Sequence, residues 1–200
     1  MKDVERMLRA GRPTVNTEAA AERFAQRASR EGLLDVAYSE VESPIGTLLV
    51  ATTSRGLVRV VLTDGHDDAL EEIAARVSPR VLRAPARTDA VRRELDEYFA
   101  RRRNAFDVPL DWRLATGFNR RVLEATARIP FGSVSSYGDM ARAAGSPRAA
   151  RAAGNALHRN PIPIVVPCHR VVHSGGGLGG YGGGLDRKRY LLRLEGALRG

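Results

Sequence analysis

The sequence predicts an α/β protein of the α+β type, in which a small sheet-plus-helices domain precedes a mainly helical domain. Two patterns favour this class. Strand-like alternation fills residues 36–63 and gives way to helical periodicity, and a helix-turn-helix layout occupies residues 135–159. With 43% hydrophobic residues in a chain of 200, both parts can form real cores.

Residues 1–34 are predicted to form an N-terminal extension that is helical or flexible. Its charges nearly balance, with seven basic and six acidic residues among the first 35. Thr17 is a candidate cap for a helix over 18–30. The segment lacks a continuous apolar stripe, so an independently folded unit is not expected there.

Residues 35–109 are predicted to form the small α/β domain. The runs DVAYSEV, GTLLVATT and LVRVVLT alternate in polarity and are separated by the turn sequences SPIG and SRG. This pattern predicts a three-stranded meander. Helical patterns follow at Asp67–Val77 and Thr88–Arg102. No catalytic cluster is evident in this part.

Residues 116–200 are predicted to form the second domain, with Pro109–Ala115 as the connection. Thr116 is placed to cap the helix GFNRRVLEATARI, and another helix is expected from Ser135 or Ser136 to Gly145.

A third helix follows almost at once. Ser146 precedes Pro147, which is the arrangement of an N-cap followed by the proline tolerated at the first helical position, and the helix should end near Arg159. Two helices joined by so tight a turn make a helix-turn-helix.

Cysteine usage and hydropathy limit the class of protein. The single cysteine, Cys168, excludes an intramolecular disulfide and a multi-cysteine zinc site, and it fits a reducing compartment. His66 is the only histidine before residue 158, so no metal site is expected. The sequence has no apolar run of membrane-spanning length and no signal-peptide core, which predicts a cytoplasmic protein without a membrane partner.

The net charge of +9 is unevenly distributed. Residues 113–170 carry nine basic and two acidic residues, whereas residues 36–112 carry eleven and thirteen. A basic field around one module favours encounter with polyanions, which makes nucleic acid the first partner to consider. A solvated basic surface is the alternative, since an arginine bias can also reflect nucleotide composition.

The segment NPIPIVVPCHRV places Cys168 directly before His169. A thiol reacts as thiolate, so a neighbouring group that takes its proton makes the cysteine a candidate nucleophile. A buried structural cysteine is the alternative.

The predicted third helix is rich in small residues, with arginines among them. Small residues allow a helix to approach another surface closely, which can be nucleic acid or a neighbouring helix.

Taken together, PCHRV, the preceding NPIPIVV, the following GYGGGLDRKRYLLRLEG and the upstream SSYGDMARAAGSPRAARAAGN resemble the O6-alkylguanine-DNA alkyltransferase family. The likeness runs from about Val36 to the C-terminus and is strongest over 117–196. It implies a ribonuclease-H-like domain at 35–109 and a winged-helix-like DNA-binding and catalytic domain at 116–200. An alkyltransferase-like subfamily carries tryptophan where this chain has Cys168, so a catalytic member is implied.

The resemblance implies repair of double-stranded DNA in one turnover. The alkyl group of O6-alkylguanine, and of O4-alkylthymine, moves to Cys168 after the nucleotide flips out, without a cofactor. A monomer associated with the nucleoid when bound to DNA is expected. Two other classes stay open: an alkylation sensor that uses Cys168 methylation as a signal, and a cysteine hydrolase.

Five catalytic residues are implied. Cys168 is the nucleophile, His169 is a water-mediated proton relay to Glu195, and Tyr137 donates toward N3 of the flipped guanine. Asn160 joins the recognition helix to the active-site segment and contacts the cysteine network. Without the resemblance, Glu195, Tyr137 and Asn160 are equally compatible with a helix end, a packed aromatic and a helix-terminating asparagine.

The recognition helix is implied to enter the minor groove, with Arg151 filling the gap left by the flipped nucleotide. The implied DNA-binding residues lie on or beside it: Tyr137, Arg148, Ala149, Ala150, Arg151, Ala152 and Gly154. The implied base pocket combines Cys168 with Val171, Tyr181, Gly182 and Lys188. The carbonyls of Cys168 and Val171 would accept from the exocyclic amine of guanine. Some relatives have serine at position 182, so only a side-chain contact there is in doubt.

Overall fold

The structure, a computed structural model, describes residues 17–64 and 68–198. In chain order, the first part contains α1 (Thr17–Arg30), β1 (Val36–Val41), β2 (Leu48–Thr53), β3 (Gly56–Leu62), α2 (Ala69–Arg76), β4 (Val81–Arg83) and α3 (Pro85–Phe99). The second part contains α4 (Gly117–Thr126), β5 (Ser135–Ser136), α5 (Tyr137–Ala143), α6 (Ala150–His158), β6 (Val171–Val172) and α7 (Leu185–Leu194). Short 3-10 helices lie at Trp112–Leu114 and Cys168–Arg170. The predicted α+β class is confirmed.

The predicted meander is present as β1, β2 and β3, which pair antiparallel in sequence order. The sheet also has a fourth strand, β4, which the sequence analysis missed. It pairs parallel with β1, so the order across the sheet is β3-β2-β1-β4. Three residues are too few to show a strand period, and the partner lies about 45 residues earlier in the chain.

Helix α1 is present over the predicted segment and packs on the sheet domain. Its buried Ala25 and Ala28 form a small apolar cluster with Leu34, Ala37 and Ala84. The part of the extension that the structure describes is therefore a docked helix. Residues 1–16 and the capping side chain predicted at position 17 lie outside the described residues.

The two helices of the sheet domain differ slightly from prediction. Helix α2 spans Ala69–Arg76, and the predicted start at Asp67 lies outside the described residues. Helix α3 starts one turn earlier than Thr88 because Pro85 occupies its first turn, where a missing N–H costs no hydrogen bond. It ends at Phe99, and Arg101 takes a left-handed φ of 57° two residues beyond, which a continuing helix cannot accommodate.

The connection between the two parts runs beside β3. The Leu57 N–H donates to the Pro109 carbonyl at 2.8 Å, and the Asp111 N–H donates to the Leu57 carbonyl at 2.8 Å. Gly56 has a φ of +131°, and a Cβ there would collide with the Pro109 backbone. Glycine at this position therefore allows the connection to lie against the sheet.

The helix-turn-helix is formed by α5 and α6. Ser136 caps α5 in a reciprocal capping box with Asp139, as the predicted start required. The predicted start of the next helix is wrong, because the Ser146 carbonyl accepts the Ala149 N–H at 2.9 Å and closes a turn that contains Pro147. Helix α6 therefore begins at Ala150, and Ser146 is not its N-cap.

A continuous apolar core joins the two parts. It includes Val50, Leu57 and Leu95 from the sheet domain and Ile162 and Leu191 from the helical part.

At the start of α4, Thr116 occupies the predicted N-cap position but its side chain makes no capping hydrogen bond. No helix in the described ranges 17–64 and 68–198 combines the length and apolarity needed to span a bilayer.

Candidate active site

The single cysteine lies in a buried segment between helix α6 and strand β6. Cys168 is 8% exposed and starts a 3-10 helix. Asn160 fixes this segment, since its amide nitrogen donates to the Val166 carbonyl at 2.8 Å and to the Cys168 Sγ at 3.2 Å. Its amide oxygen accepts the Ile162 N–H at 3.0 Å. The predicted contact between Asn160 and the cysteine is present.

Burial raises the pKa of the Cys168 thiol, because a thiolate would lose its hydration there. The Asn160 amide and the Lys188 ammonium oppose that effect by stabilising the negative sulfur. The balance favours the neutral thiol at rest. A base must therefore remove the proton if Cys168 is to act as a nucleophile.

His169 is fully buried and contacts Glu195 directly, with 2.8 Å between Nε2 and Oε1. The pKa of Glu195 falls from 4.5 to about 2, because its hydrogen bonds from His169, Arg170 and Tyr98 outweigh its desolvation. An ionised carboxylate only accepts, so Nε2 carries the hydrogen. The sequence predicted a water-mediated relay from His169 to Glu195, whereas in the structure the two side chains are in direct hydrogen-bond contact.

The other ring nitrogen of His169 is suited to accept a proton. Desolvation by burial is the largest effect on the pKa of this imidazole and lowers it, which favours the neutral ring. With hydrogen on Nε2, Nδ1 is an acceptor, and it is buried without a hydrogen-bond partner among the described residues. A buried imidazole of this tautomer can accept a proton on Nδ1.

Two residues that the sequence analysis did not single out complete the carboxylate site. Arg170 donates from Nε to Glu195 Oε2 at 2.8 Å and from Nη2 to Oε1 at 2.9 Å. Tyr98, on α3 of the sheet domain, donates to Oε1 at 2.6 Å. Arg170 follows His169 in the PCHRV motif and could have been included. Tyr98 lies 97 residues from its partner, and no local pattern indicates the contact.

A cavity of about 450 Å³ opens onto the thiol. Its walls bring together residues predicted for catalysis, DNA contact and the base pocket: Tyr137, Ala150, Arg151, Gly154, Cys168, Tyr181 and Gly182. His173, which was not predicted, also lines it, and its ring centroid lies 5.2 Å from that of Tyr137. Seven of the predicted site residues therefore line one cavity. A second cavity of about 470 Å³ reaches Cys168 from the side of β3.

Lys188 supports the cavity from behind and does not line it. Its Nζ donates to the Val171 carbonyl at 2.6 Å, although the side chain is fully buried. Desolvation lowers its pKa from 10.5 to about 8. The Val171 carbonyl predicted to accept from the guanine amine is thus already engaged, which leaves one lone pair for a base.

Six of the predicted DNA-binding residues lie on α6 or in the turn before it and are at least partly exposed. Arg148, Arg151 and Ala152 are exposed, and three others are partly exposed: Ala149, Ala150 and Gly154. The opposite side of α6 is buried through Ala153 and Ala156. Some small residues of this helix therefore pack on the core, and the others leave a surface without long side chains beside Arg148 and Arg151.

A glycine-rich loop, residues 175–184, lies against Tyr137. Gly179 has a φ of +69°, and a Cβ there would collide with the Tyr137 hydroxyl. Arg187 ties this loop to the sheet domain, since it donates to the Gly183 carbonyl at 3.1 Å and to the Ile45 carbonyl at 2.8 Å. The loop is thus held by both parts of the protein.

Comparison with known proteins agrees with this architecture. The family model described as 6-O-methylguanine DNA methyltransferase, ribonuclease-like domain, matches residues 36–112. The model described as the DNA binding domain of the same methyltransferase matches residues 117–197.

Similar sequences cover most of the chain. The methylated-DNA--protein-cysteine methyltransferase of Mycolicibacterium paratuberculosis is 42% identical over 160 residues, which are 80% of this chain and 92% of the relative. The constitutive enzyme of that name from Bacillus subtilis is 37% identical over 163 residues, covering 79% and 94%. The crystal structure of Mycobacterium tuberculosis OGT in complex with DNA superposes with a TM-score of 0.71 at 40% identity, covering 80% and 93%.

These matches define a class of two-domain proteins with a ribonuclease-like domain and a DNA-binding domain. The chain belongs to the 6-O-methylguanine DNA methyltransferase family. The resemblance seen in the sequence motifs is confirmed.

Proposed function

We propose that this protein repairs alkylated DNA by moving the alkyl group from O6 of guanine, and from O4 of thymine, to Cys168. The observation that carries the proposal is the shared cavity, which is lined by the buried Cys168, by Tyr137 and by the exposed Arg151. Relatives of the chain are named methylated-DNA--protein-cysteine methyltransferases, and a similar structure was solved with DNA. Double-stranded DNA is therefore the proposed partner.

The base must leave the helix to meet the thiol. Cys168 is only 8% exposed and lies inside a cavity, so a stacked guanine cannot present its O6-alkyl carbon to the sulfur. Extrusion costs a few kcal/mol and less for a mispaired base. Arg151 then occupies the gap, since a planar guanidinium can stack and donate hydrogen bonds at once. The small outer residues of α6 allow the helix to approach the groove closely.

The thiol gives its proton to Nδ1 of His169. A water molecule that relays this proton would lie between the thiol and Nδ1, because Nε2 bonds to Glu195 directly. Glu195 stabilises the imidazolium through the Nε2 hydrogen bond, and the Lys188 ammonium stabilises the thiolate. The sulfur attacks the alkyl carbon, a C–S bond forms, and the C–O6 bond breaks with its electrons moving into the purine. Asn160 holds the sulfur in place through its 3.2 Å hydrogen bond.

Tyr137 assists the leaving group. Burial raises the pKa of its hydroxyl, which keeps the phenol protonated and able to donate. Donation toward N3 of the purine stabilises the negative charge that develops as the C–O6 bond breaks, and the purine then takes up one proton, balancing the one that the thiol gave up, to leave as neutral guanine. Because Gly179 has no Cβ, the loop backbone can lie next to this hydroxyl. The carbonyls of Cys168 and Val171 accept from the exocyclic amine of the flipped base.

The product is a thioether on Cys168, which has no easily expelled group, so each molecule reacts once. The alkyl group comes from the DNA, and the proposed reaction needs no cofactor. We place the protein in the cytoplasm, at the nucleoid when bound to DNA.

Intact-mass measurement after incubation with duplex DNA containing O6-methylguanine tests the proposal. We expect one methyl group gained per protein molecule and an equal amount of guanine restored in the DNA. A cysteine hydrolase would leave the protein mass unchanged. A sensor would gain the methyl group and in addition bind a further partner only when methylated. Damaged DNA that stays unrepaired in the presence of excess protein would contradict the proposal.

A further inference from the structure

We propose that Tyr98, a residue of the sheet domain, is a positioning residue of the proton relay and sets the proton affinity of His169 through Glu195. The inference rests on the proposed function, because the relay matters for repair only if Cys168 is the nucleophile. It assigns to the sheet domain a part in the chemistry of the helical domain.

The geometry of Glu195 carries the inference. Its Oε1 accepts the Tyr98 hydroxyl at 2.6 Å, the His169 Nε2–H at 2.8 Å and Arg170 Nη2 at 2.9 Å. Its Oε2 accepts Arg170 Nε at 2.8 Å. Tyr98 and His169 therefore share one oxygen atom. A donor on that atom draws electron density away from the bond to the imidazole.

Packing holds the Tyr98 ring independently of its hydroxyl. The side chain is fully buried, and the ring centroids of Phe99, Phe106 and Phe131 lie 5.3, 5.4 and 6.1 Å from that of Tyr98. A core that needed only volume at this position would accept phenylalanine. The hydroxyl lies instead at hydrogen-bond distance from a carboxylate that belongs to another domain and to the relay.

The charged and titratable groups around Glu195 determine the direction in which the pKa of His169 changes when the Tyr98 hydroxyl is removed. The groups that face this site are Arg170 and His169 on the carboxylate, with Lys188 and Tyr181 nearby. Desolvation and the neighbouring Glu195 raise the pKa of Tyr98, so the phenol stays protonated and always donates. Removing that donor leaves more negative charge on Oε1 for the imidazole. The pKa of His169 should then rise. As the pH is lowered, His169 should become protonated, and stop accepting the thiol proton, at a higher pH than in the wild-type protein.

Tyr98→Phe tests this inference with two measurements. The first is the pH dependence of single-turnover transfer from O6-methylguanine DNA, whose acid midpoint should move up by about half a pH unit or more. The second is nitrogen NMR of the His169 ring in the free protein, where the titration should shift in the same direction. The ring measurement does not depend on repair activity. If the wild-type protein fails to transfer, the proposed function fails while the imidazole titration still decides the role of Tyr98.

Phe106→Leu is the matched control. It perturbs the aromatic ring 5.4 Å from that of Tyr98, and neither phenylalanine nor leucine has a group that could bond to Glu195. We expect it to lower stability and to leave both midpoints in place. Upward shifts confined to Tyr98→Phe support the inference. Midpoints in Tyr98→Phe that stay at the wild-type value, or that move equally in Phe106→Leu, would overturn it and reduce Tyr98 to a packing residue.

Discussion

The carboxylate of Glu195 lies 2.8 Å from Nε2 of His169, with both side chains fully buried. Because the pKa of Glu195 is about 2, this carboxylate is ionised throughout the neutral range and fixes the hydrogen on Nε2. The opposite nitrogen is then left as the acceptor on the ring. This one contact fixes the orientation of the His169 ring, the residue next to Cys168, and leaves Nδ1 free to accept a proton.

Glu195 should also stabilise the fold in a pH-dependent way. Its folded pKa of about 2 lies below the ordinary 4.5, so its contribution is complete above about pH 4.5 and is lost as pH falls toward 2. Glu195→Gln should lower the free energy of unfolding by about 3 kcal/mol at pH 7. Urea unfolding at several pH values checks this, and the gap from wild type should narrow below pH 4.5. Asp186→Asn, on the fully exposed side of α7, is the control and should show no comparable gap.

Gly179→Ala should slow transfer without preventing DNA binding. The residue has a φ of +69°, and its new Cβ would collide with the Tyr137 hydroxyl, so either the loop or the phenol must move. We expect a loss of about tenfold to a hundredfold in the single-turnover rate. Gly175→Ala in the same loop meets nothing within 4 Å and serves as the control. Equal rates for the two variants would show that Tyr137 does not need its present position.

Arg151→Ala should slow repair of duplex DNA while sparing reaction with free O6-benzylguanine, which needs no base flipping. Arg151 is exposed at the cavity wall, so its removal should not disturb the core. Arg151→Lys should recover only part of the rate, because an ammonium lacks the stacking plane. Nearly complete recovery by lysine would indicate a simple phosphate contact. Equal losses on duplex and free base would indicate a damaged active site.

A chain that begins at residue 34 should lose stability and keep its activity. The deletion removes Ala25 and Ala28, which cover Ala37 and Ala84 on the sheet domain, far along the chain from every proposed catalytic residue. We expect about 2 kcal/mol less free energy of unfolding and an unchanged transfer rate below the new melting temperature. A folded but inactive truncation would show that the extension takes part in repair.

The alternation of β1 to β3 and the capping residues of α5 could be predicted because these signals are local. Strand β4 could not, since it is short and its partner is distant. The predicted start of α6 is wrong because Ser146 followed by Pro147 is as typical of a turn as of a helix start. In the structure, the backbone hydrogen bond from the Ala149 N–H to the Ser146 carbonyl closes a turn.

The candidate site likewise combines residues that sequence motifs predict with contacts that only the fold reveals. Cys168, His169 and Glu195 were found through motifs near one another in the C-terminal part, and the structure brings them together with Tyr137 and Asn160. Tyr98 was missed because its contact with Glu195 depends on how two domains pack. The engagement of the Val171 carbonyl by Lys188 was missed for a similar reason, since only the fold shows which way a buried ammonium points.

Locating the transferred group within the protein tests the central claim most directly. The wild-type protein and Cys168→Ser are each incubated with duplex DNA carrying isotope-labelled O6-methylguanine, digested, and sequenced by mass spectrometry. We predict S-methylcysteine at position 168 in the wild-type protein, in an amount equal to the guanine restored, and no label in the serine variant, which should still bind DNA. Label on any other residue, or restored guanine with the serine variant, would contradict the account.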